Sequence, residues 1–359
     1  MKKYNNINGV RSKIDDLDLK ILKLLSRRGK YAKKIGEIKK GEGKKIYVPS
    51  REKQIFDYLV RSNEGPYTDA AIRAVFREII SATRALEQPI RVAFLGPDST
   101  FTHLAAVEHF GHGALFEPKQ DIALVFRDVE TGRADFGVVP IENSTEGVVN
   151  YTLDKFVSSE LKICSEIIVS ISLHLMSTES DLKKIKRIYS HSHALAQCRE
   201  WLAVHFNNIE LFPLDSTAAA AEQSAQEPEA AAIASALAAN NFGLTILAKN
   251  IQDQVNNYTR FLVLGDVQTS KTGHDKTSIA FIAKDKPGIL YHLLKPLADA
   301  KINLTKIESR PLKTRVWEYM FFVDIDGHVS ELRLQKAFAK LQAECVLFKV
   351  LGSYPKAVA

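Results

Sequence analysis

Cysteine is scarce in this 359-residue chain: the three present, Cys164, Cys198 and Cys345, are odd in number, far apart and without C-x-x-C spacing. That argues against a disulfide framework or a thiolate zinc site and leaves reduced thiols as the expectation. Long hydrophobic runs are missing too. No stretch approaches a membrane span, and the N-terminal region lacks the apolar segment of a secretory signal. The expectation is a cytoplasmic protein with no membrane partner. Compositional bias is also absent, since 45% apolar and 25% charged residues are ordinary for a globular chain, here long enough for two or three domains.

The net charge of +7 is local. Residues 1–89 carry 21 Lys and Arg against 11 Asp and Glu, whereas the remainder carries 28 against 31. A basic segment suits nucleic acid, a membrane surface or a small polyanion. Position favours the small anion and ranks nucleic acid last. Ile14, Leu17, Ile21, Leu24, Leu25, Ala32 and Ile35 recur at helical spacing, which predicts one amphipathic helix over 10–40, about 45 Å long. Arg28 and Lys39 project from one side of it beside the apolar stripe; the alternative is that both are solvated. Pro49 is placed to open a second helix with Arg51 and Glu52 in its first turn. Thr68 or Asp69 starts a third, whose stripe of Ile72, Phe76 and Ile80 ends in Thr83 and Glu87. Three such helices bury little, and a dimer interlocking two long first helices would supply the missing core.

The centre of the chain is organised around residues 133–149, R-A-D-F-G-V-V-P-I-E-N-S-T-E-G-V-V. Residues 136–141 read as a short buried strand ending in Glu142, Asn143, Ser144 and Thr145, with a helix expected soon after. Open α/β sheets bind ligands at such corners, because unpaired N–H groups at a helix start attract anions. The alternative is that Ser144 or Thr145 merely caps the helix. Further corners follow the same pattern. A strand at 91–95 leads through Thr100 to a helix over 103–110, and Ser190, His191 and His193 precede a helix containing Gln197 and Cys198. Asp215, Ser216 and Thr217 precede a helix over 218–226, residues 230–239 read as Ala-rich helix, and Asn257, Thr259 and Arg260 run into a strand at 262–264. The histidine pair has no clustered acidic or thiolate companions, so no metal is expected. A polar, flexible linker over 268–275 then leads to a βαββαβ pattern, with strands at 277–283, 302–309, 317–325 and 346–351 and helices at 288–300 and 330–343.

These residues carry three resemblances. Arg11, Arg28, Lys39, Arg51, Glu52, Thr83 and Glu87 resemble the all-helical chorismate mutase domain, a domain-swapped dimer. The resemblance implies that Arg28 and the other subunit's Arg11 hold the carboxylates of chorismate, and that Lys39 and Glu87 face its ether oxygen. Arg51, Glu52 and Thr83 would complete the pocket. A pericyclic rearrangement asks for a held conformer and well-placed charge, not a nucleophile or base. Val48 stands where the family often has an acidic residue, and Glu87 where some members have Gln. A carboxylate donates no hydrogen bond, so Glu87 would need its proton, and burial that raises its pKa would make the mutase favour mildly acidic pH.

G-P-x-x-T-F at 96–101, P-I-E-N-S at 140–144, S-H-x-x-A-L-A-Q-C from Ser190, D-S-T-A-A from Asp215 and N-x-T-R-F at 257–261 resemble prephenate dehydratase in order and spacing. That family has two α/β lobes with the site in the cleft between them. The resemblance implies Thr259 as the catalytic group, with Asn143, Ser190 and Gln197 around the substrate and Thr100, Ser144 and Arg260 behind them. Ser99, Ser192 and His193 replace the Gly, Pro and Gln common in the family. Last, Pro287, Gly288, Ile289 and Leu290, with Glu308, Ser309, Arg310 and Pro311, resemble the ACT regulatory domain of these dehydratases, which binds phenylalanine at a subunit interface and inhibits. Ile289 stands where Ala is usual, and an inert dimerisation domain is the alternative.

The expectation is a multidomain chain: an all-α mutase domain in an intertwined dimer (1–89), a two-lobed α/β dehydratase domain (90–268) and an α+β ACT domain (276–355). It would convert chorismate to prephenate and then to phenylpyruvate under phenylalanine feedback, as a homodimer or higher homo-oligomer without metal or cofactor. The alternatives are a dehydratase whose helical domain serves only dimerisation, and a non-catalytic amino-acid sensor.

Overall fold

The computed structural model describes residues 7–42, 47–254, 256–283, 286–311 and 319–357. They form two compact units. One holds 7–42, 47–48, 55–90 and 110–115, and the other holds 49–54, 91–109 and the described residues from 116 onward.

The first unit is helical. Its helix α1 (Ile7–Gly41) is unbroken, as the periodicity predicts, yet Gly29 alone among its described residues is buried. Helix α2 (Pro49–Arg61) starts on Pro49, whose missing N–H is no loss at a first helical position. Thr68 caps α3 (Asp69–Ala85) by accepting from Ala71 N at 3.2 Å. Arg84 is buried near the end of α3, donating to Phe110 O at 2.8 Å with its guanidinium 4.9 Å from the Tyr47 ring. No described helix is long and apolar enough to cross a membrane.

The second unit opens with β1 (Arg91–Leu95), α4 (Phe101–Phe110), β2 (Leu115–Lys119), α5 (Ile122–Glu130), β3 (Phe136–Asn143), β4 (Gly147–Val148), α6 (Asn150–Ser158) and β5 (Lys162–Ser170). The chain then builds a second lobe from β6 (His174–Ser177), β7 (Arg187–His191), α7 (Ser192–Gln197), α8 (Arg199–His205), β8 (Glu210–Leu214), α9 (Thr217–Gln226), β9 (Ala230–Ala234), α10 (Ala236–Phe242) and β10 (Thr245–Ala248). It returns to the first lobe as β11 (Tyr258–Gly265). The first sheet runs β2-β1-β3-β11-β5 with β4 beside β3, and the second runs β10-β6-β9-β7-β8. The expected α/β layering in two lobes is present.

Three local expectations are corrected. The strand expected to stop at Ile141 continues through Glu142 and Asn143, and no helix starts at Ser144 or Thr145; the chain turns back into β4, and α6 begins at Asn150. Pairing with β11 extends the strand past its apolar part. The Ala-rich stretch expected as helix over 230–239 divides into β9 and α10. All four alanines of β9, and Ile233 among them, are fully buried between β6 and β7, and sheet pairing there overrides the helix propensity of the alanines. Cys198 lies at the junction of α7 and α8 rather than inside one helix.

The C-terminal part follows the expected βαββαβ order: β12 (Asp275–Ala283), α11 (Ile289–Asp299), β13 (Leu304–Pro311), β14 (Tyr319–Asp326), α12 (Leu332–Glu344) and β15 (Cys345–Pro355), in the sheet order β13-β14-β12-β15. Alternation along β12 divides its cores. Ile279, Phe281 and Ala283 pack with α11 and α12, whereas Ala280 and Ile282 join Ile141, Leu153, Ile163 and Leu262 of the first lobe. The stretch expected as a flexible linker is held at several points. Asp275 accepts from Thr272 N and Oγ1 and from Gly273 N, Thr269 Oγ1 donates to Ser353 O, and His328 Nε2 lies 3.0 Å from Thr269 O.

Candidate functional sites

Two clusters of the expected residues form, one in each unit. In the second unit the cluster begins with strand register: Asn143 of β3 stands opposite Thr259 of β11. Asn143 Nδ2 donates to Thr259 Oγ1 at 2.7 Å and to Asn257 Oδ1 at 3.0 Å. Its Oδ1 accepts from Thr145 N, Thr145 Oγ1 and Glu146 N, so the turn's backbone donors are used internally rather than presented to an anion. Asn143 is thereby saturated and fixed in orientation. Among the described residues Thr259 Oγ1 accepts this one bond and keeps its own proton uncommitted.

The network continues to the other lobe. Asn257, 1% exposed, donates to Gln197 Oε1 at 2.9 Å, and Gln197 Nε2 reaches Thr145 Oγ1 and Glu146 Oε1. Ser144 Oγ accepts from Tyr258 N at 3.0 Å and donates to Asn256 O, pinning the turn to the start of β11. Beside these groups lies a cleft of about 420 Å³, lined by Thr145, Glu146, His193, Gln197, Asp253 and Asn257 among others. His193 Nδ1 is 2.7 Å from Glu146 Oε2. Burial and the neighbouring His193 lower the pKa of His191.

Asn257 joins the expected residues here, and its signal in the sequence is the N-x-T-R-F motif that it opens. For His193 the signal is its place at a usual Gln position, and Glu146 has no comparable one. Three expected residues sit apart from the cluster. Ser190 is fully buried and donates to Ile233 O at 2.6 Å, inside the second sheet. Thr100 Oγ1 donates to Pro97 O at 3.0 Å and accepts from His103 N, as a cap does. Arg260 points to the opposite face from Thr259 and bonds Glu166, Asp324 and Tyr354. Ser99, at a usual Gly position, has φ +69° and is held by Asn241 Nδ2 on its Oγ at 2.8 Å.

In the first unit, Arg28 Nη1 donates to Thr83 Oγ1 and to Ile79 O. Glu87 lies in the same place, close enough to Arg28, Lys39 and Arg84 for all three charges to act on it. Burial nevertheless dominates and raises the Glu87 pKa, and its buried Oε2 takes no hydrogen bond among the described residues. The same burial lowers the Arg28 pKa. Arg11 is exposed on α1, about 25 Å along the helix from Arg28 at 1.5 Å per residue. Arg51, exposed, and Glu52, half-buried, occupy the first turn of α2, among residues 49–54 of the second unit.

In the C-terminal domain, Gly288 adopts φ +74°, a left-handed value that favours glycine, just before α11. Ile289 and Leu290 pack on that domain's core. Glu308 and Arg310 share one face of β13 while Ser309 and Pro311 are exposed, and Arg310 Nη2 lies 3.1 Å from Asp154 Oδ1.

The chain matches family models described as chorismate mutase type II over residues 10–88, prephenate dehydratase over 92–269 and ACT domain over 277–343. It is 49% identical over 353 residues to the bifunctional chorismate mutase/prephenate dehydratase of Aquifex aeolicus (strain VF5), a match covering 97% of this chain and 98% of the relative. It is 43% identical to the protein of the same description from Stutzerimonas stutzeri across the full length of both. Among solved structures, the prephenate dehydratase of Arthrobacter aurescens in complex with L-Phe superposes with a TM-score of 0.69 at 37% identity, covering 74% of this chain and 90% of that one. With relatives of this identity covering 97% or more of it and all three family models matched, the chain belongs to the bifunctional chorismate mutase/prephenate dehydratase family.

Proposed function

We propose that this chain rearranges chorismate to prephenate in its helical domain (1–89) and converts prephenate to phenylpyruvate in its two-lobed domain (90–268), under phenylalanine feedback through the ACT domain (276–355). The observation that carries the residue-level reading is Thr259, which accepts one hydrogen bond from a saturated Asn143 and keeps its own proton to donate. In decarboxylating dehydration the electrons of the departing carboxylate enter the ring and expel the ring hydroxyl. A donor hydroxyl assists that departure without being a strong acid. Asn257 and Gln197 extend the same network to the cleft.

In the helical domain, Arg28 and Arg11 of the partner subunit bind the two carboxylates. One chain separates these residues too far to share a substrate, and the open apolar stripe of α1 supports pairing of two copies. Lys39 and protonated Glu87 meet the ether oxygen as it gains charge. Both reactions are redox-neutral and need no cofactor. Phenylalanine as effector rests on the Gly288–Leu290 and Glu308–Pro311 segments and on the relative solved with L-Phe. Cytoplasmic placement is part of this reading.

The test is a time course with chorismate at about pH 6 and pH 8, bracketing a raised carboxyl pKa, with chorismate, prephenate and phenylpyruvate quantified separately. Prephenate rising before phenylpyruvate is expected. Untouched chorismate at both pH values, with supplied prephenate consumed, would leave a dehydratase carrying a helical dimerisation domain.

A further inference from the structure

Directly beside the Asn143 and Thr259 pair, the next register position pairs Glu142 with Arg260. Successive side chains on a strand point to opposite faces, so one pair faces the proposed dehydratase site and the other faces the ACT sheet. There, Lys306 of β13 and Asp324 of β14 are themselves register neighbours. The two pairs meet. Lys306 Nζ is 2.6 Å from Glu142 Oε2, and Arg260 Nη1 is 2.6 Å from Asp324 Oδ2. Two in-sheet pairs thus form a quartet of alternating charge between the sheets.

The surroundings make the quartet costly to disturb. The Arg260 side chain is 13% exposed, and it also bonds Glu166 Oε2 at 2.8 Å and the fully buried Tyr354 Oη at 3.0 Å. Ser278 Oγ donates to Asp324 Oδ1 and lies 2.6 Å from Tyr354 Oη, while Lys276 Nζ closes on Glu166 Oε2 at 2.7 Å. Parting the Arg260 and Asp324 pair, 13% and 11% exposed, would leave charges without compensation, whereas Glu142 at 37% exposure is partly solvated. A small cavity of about 30 Å³ is lined by Arg260, Ser278, Lys306 and Asp324. Strand β13 is an edge strand, and it carries both Lys306 and the Glu308–Pro311 segment.

We propose that Glu142 and Arg260 are positioning residues, tying the Asn143 and Thr259 pair to Lys306 and Asp324 so that a displacement of β13 is read at the dehydratase site. The coupling half of this proposal rests on the reading of the ACT domain as a phenylalanine sensor. Prephenate and chorismate turnover are independent of it.

The test uses the full-length enzyme, with K306Q and the charge-conserving K306R. Wild type and variants are compared for dehydratase kcat and KM, for L-phenylalanine inhibition, for L-phenylalanine binding by calorimetry, and for mutase activity as a control on folding. K306Q is expected to lower dehydratase kcat by about tenfold with KM little changed, as misplacement of a reacting group does. It should also raise the half-inhibiting phenylalanine concentration by about tenfold while phenylalanine still binds. K306R, which keeps the cation between Glu142 and Asp324, should retain much of both. Wild-type kcat and inhibition in K306Q would overturn the proposal, as would K306R no better than K306Q. If wild type neither binds phenylalanine nor is inhibited by it, the sensor reading fails instead, and the kcat change with its retention in K306R decides the positioning role alone.

Discussion

Glu87 fits against Gly36: a Cβ on that glycine would stand 3.0 Å from both Cγ and Oε2 of the carboxyl side chain. The close fit helps bury Glu87, and burial raises its pKa against the opposing pull of Lys39, Arg84 and Arg28. The carboxyl therefore keeps its proton above the ordinary carboxylate pKa of about 4.3. If that proton is donated to the ether oxygen, mutase kcat/KM falls as pH rises through the raised pKa. Glu87→Gln, which donates at every pH, should flatten the profile; an unchanged profile in the Gln variant would refute the role.

Removing the Thr259 hydroxyl removes the proposed donor to the leaving group. Thr259→Ala should lower phenylpyruvate formation by about 10²–10⁴-fold, the usual contribution of a positioned proton donor. Mutase turnover should be unaffected. Near-normal dehydration in this variant, measured with supplied prephenate, would remove Thr259 from the mechanism.

The stripe of α1 is open in the single chain, with Ile14, Leu17, Ile21 and Leu24 all at least half exposed. A charge placed there should be tolerated by an isolated helix and rejected by a buried seam. L17E combined with I21E is expected to make mutase activity fall steeply on dilution, with a matching loss of oligomer mass by light scattering. Mutase activity independent of protein concentration in that variant would argue against a site shared between two copies.

Gly352 of β15 lies directly on β5: an added Cβ would stand 2.2 Å from Ile163 O and 2.8 Å from Ile163 N. Backbone atoms yield little, so Gly352→Ala should destabilise the join of ACT sheet and first lobe by about 1–3 kcal/mol, as overpacking does. Thermal unfolding monitored through the dehydratase domain should shift downward. An unshifted midpoint would show that the join relaxes freely.

Much of this protein is legible from periodicity and spacing. The unbroken α1, the proline start of α2, the Thr68 cap and the βαββαβ order follow from local rules that act over a few residues. The grouping of Arg28, Lys39 and Thr83 is legible for the same reason, since helical pitch places each on its stripe, whereas Glu87, expected on the stripe of the third helix, lies in the turn after α3 ends at Ala85.

What the linear chain could not decide concerns pairing across long separations. Four alanines at 230–234 favour helix until a sheet closes on both sides of them, and Glu142 and Asn143 look like loop until β11 extends the strand. Arg260 belongs to the same motif as Thr259, and only the pleat turns it away from the cleft toward Asp324. Local propensity and spacing by themselves set which elements form and which residue types they carry. The tertiary structure decided which face each side chain presents and what it meets there, because register is settled by partners more than a hundred residues away along the chain.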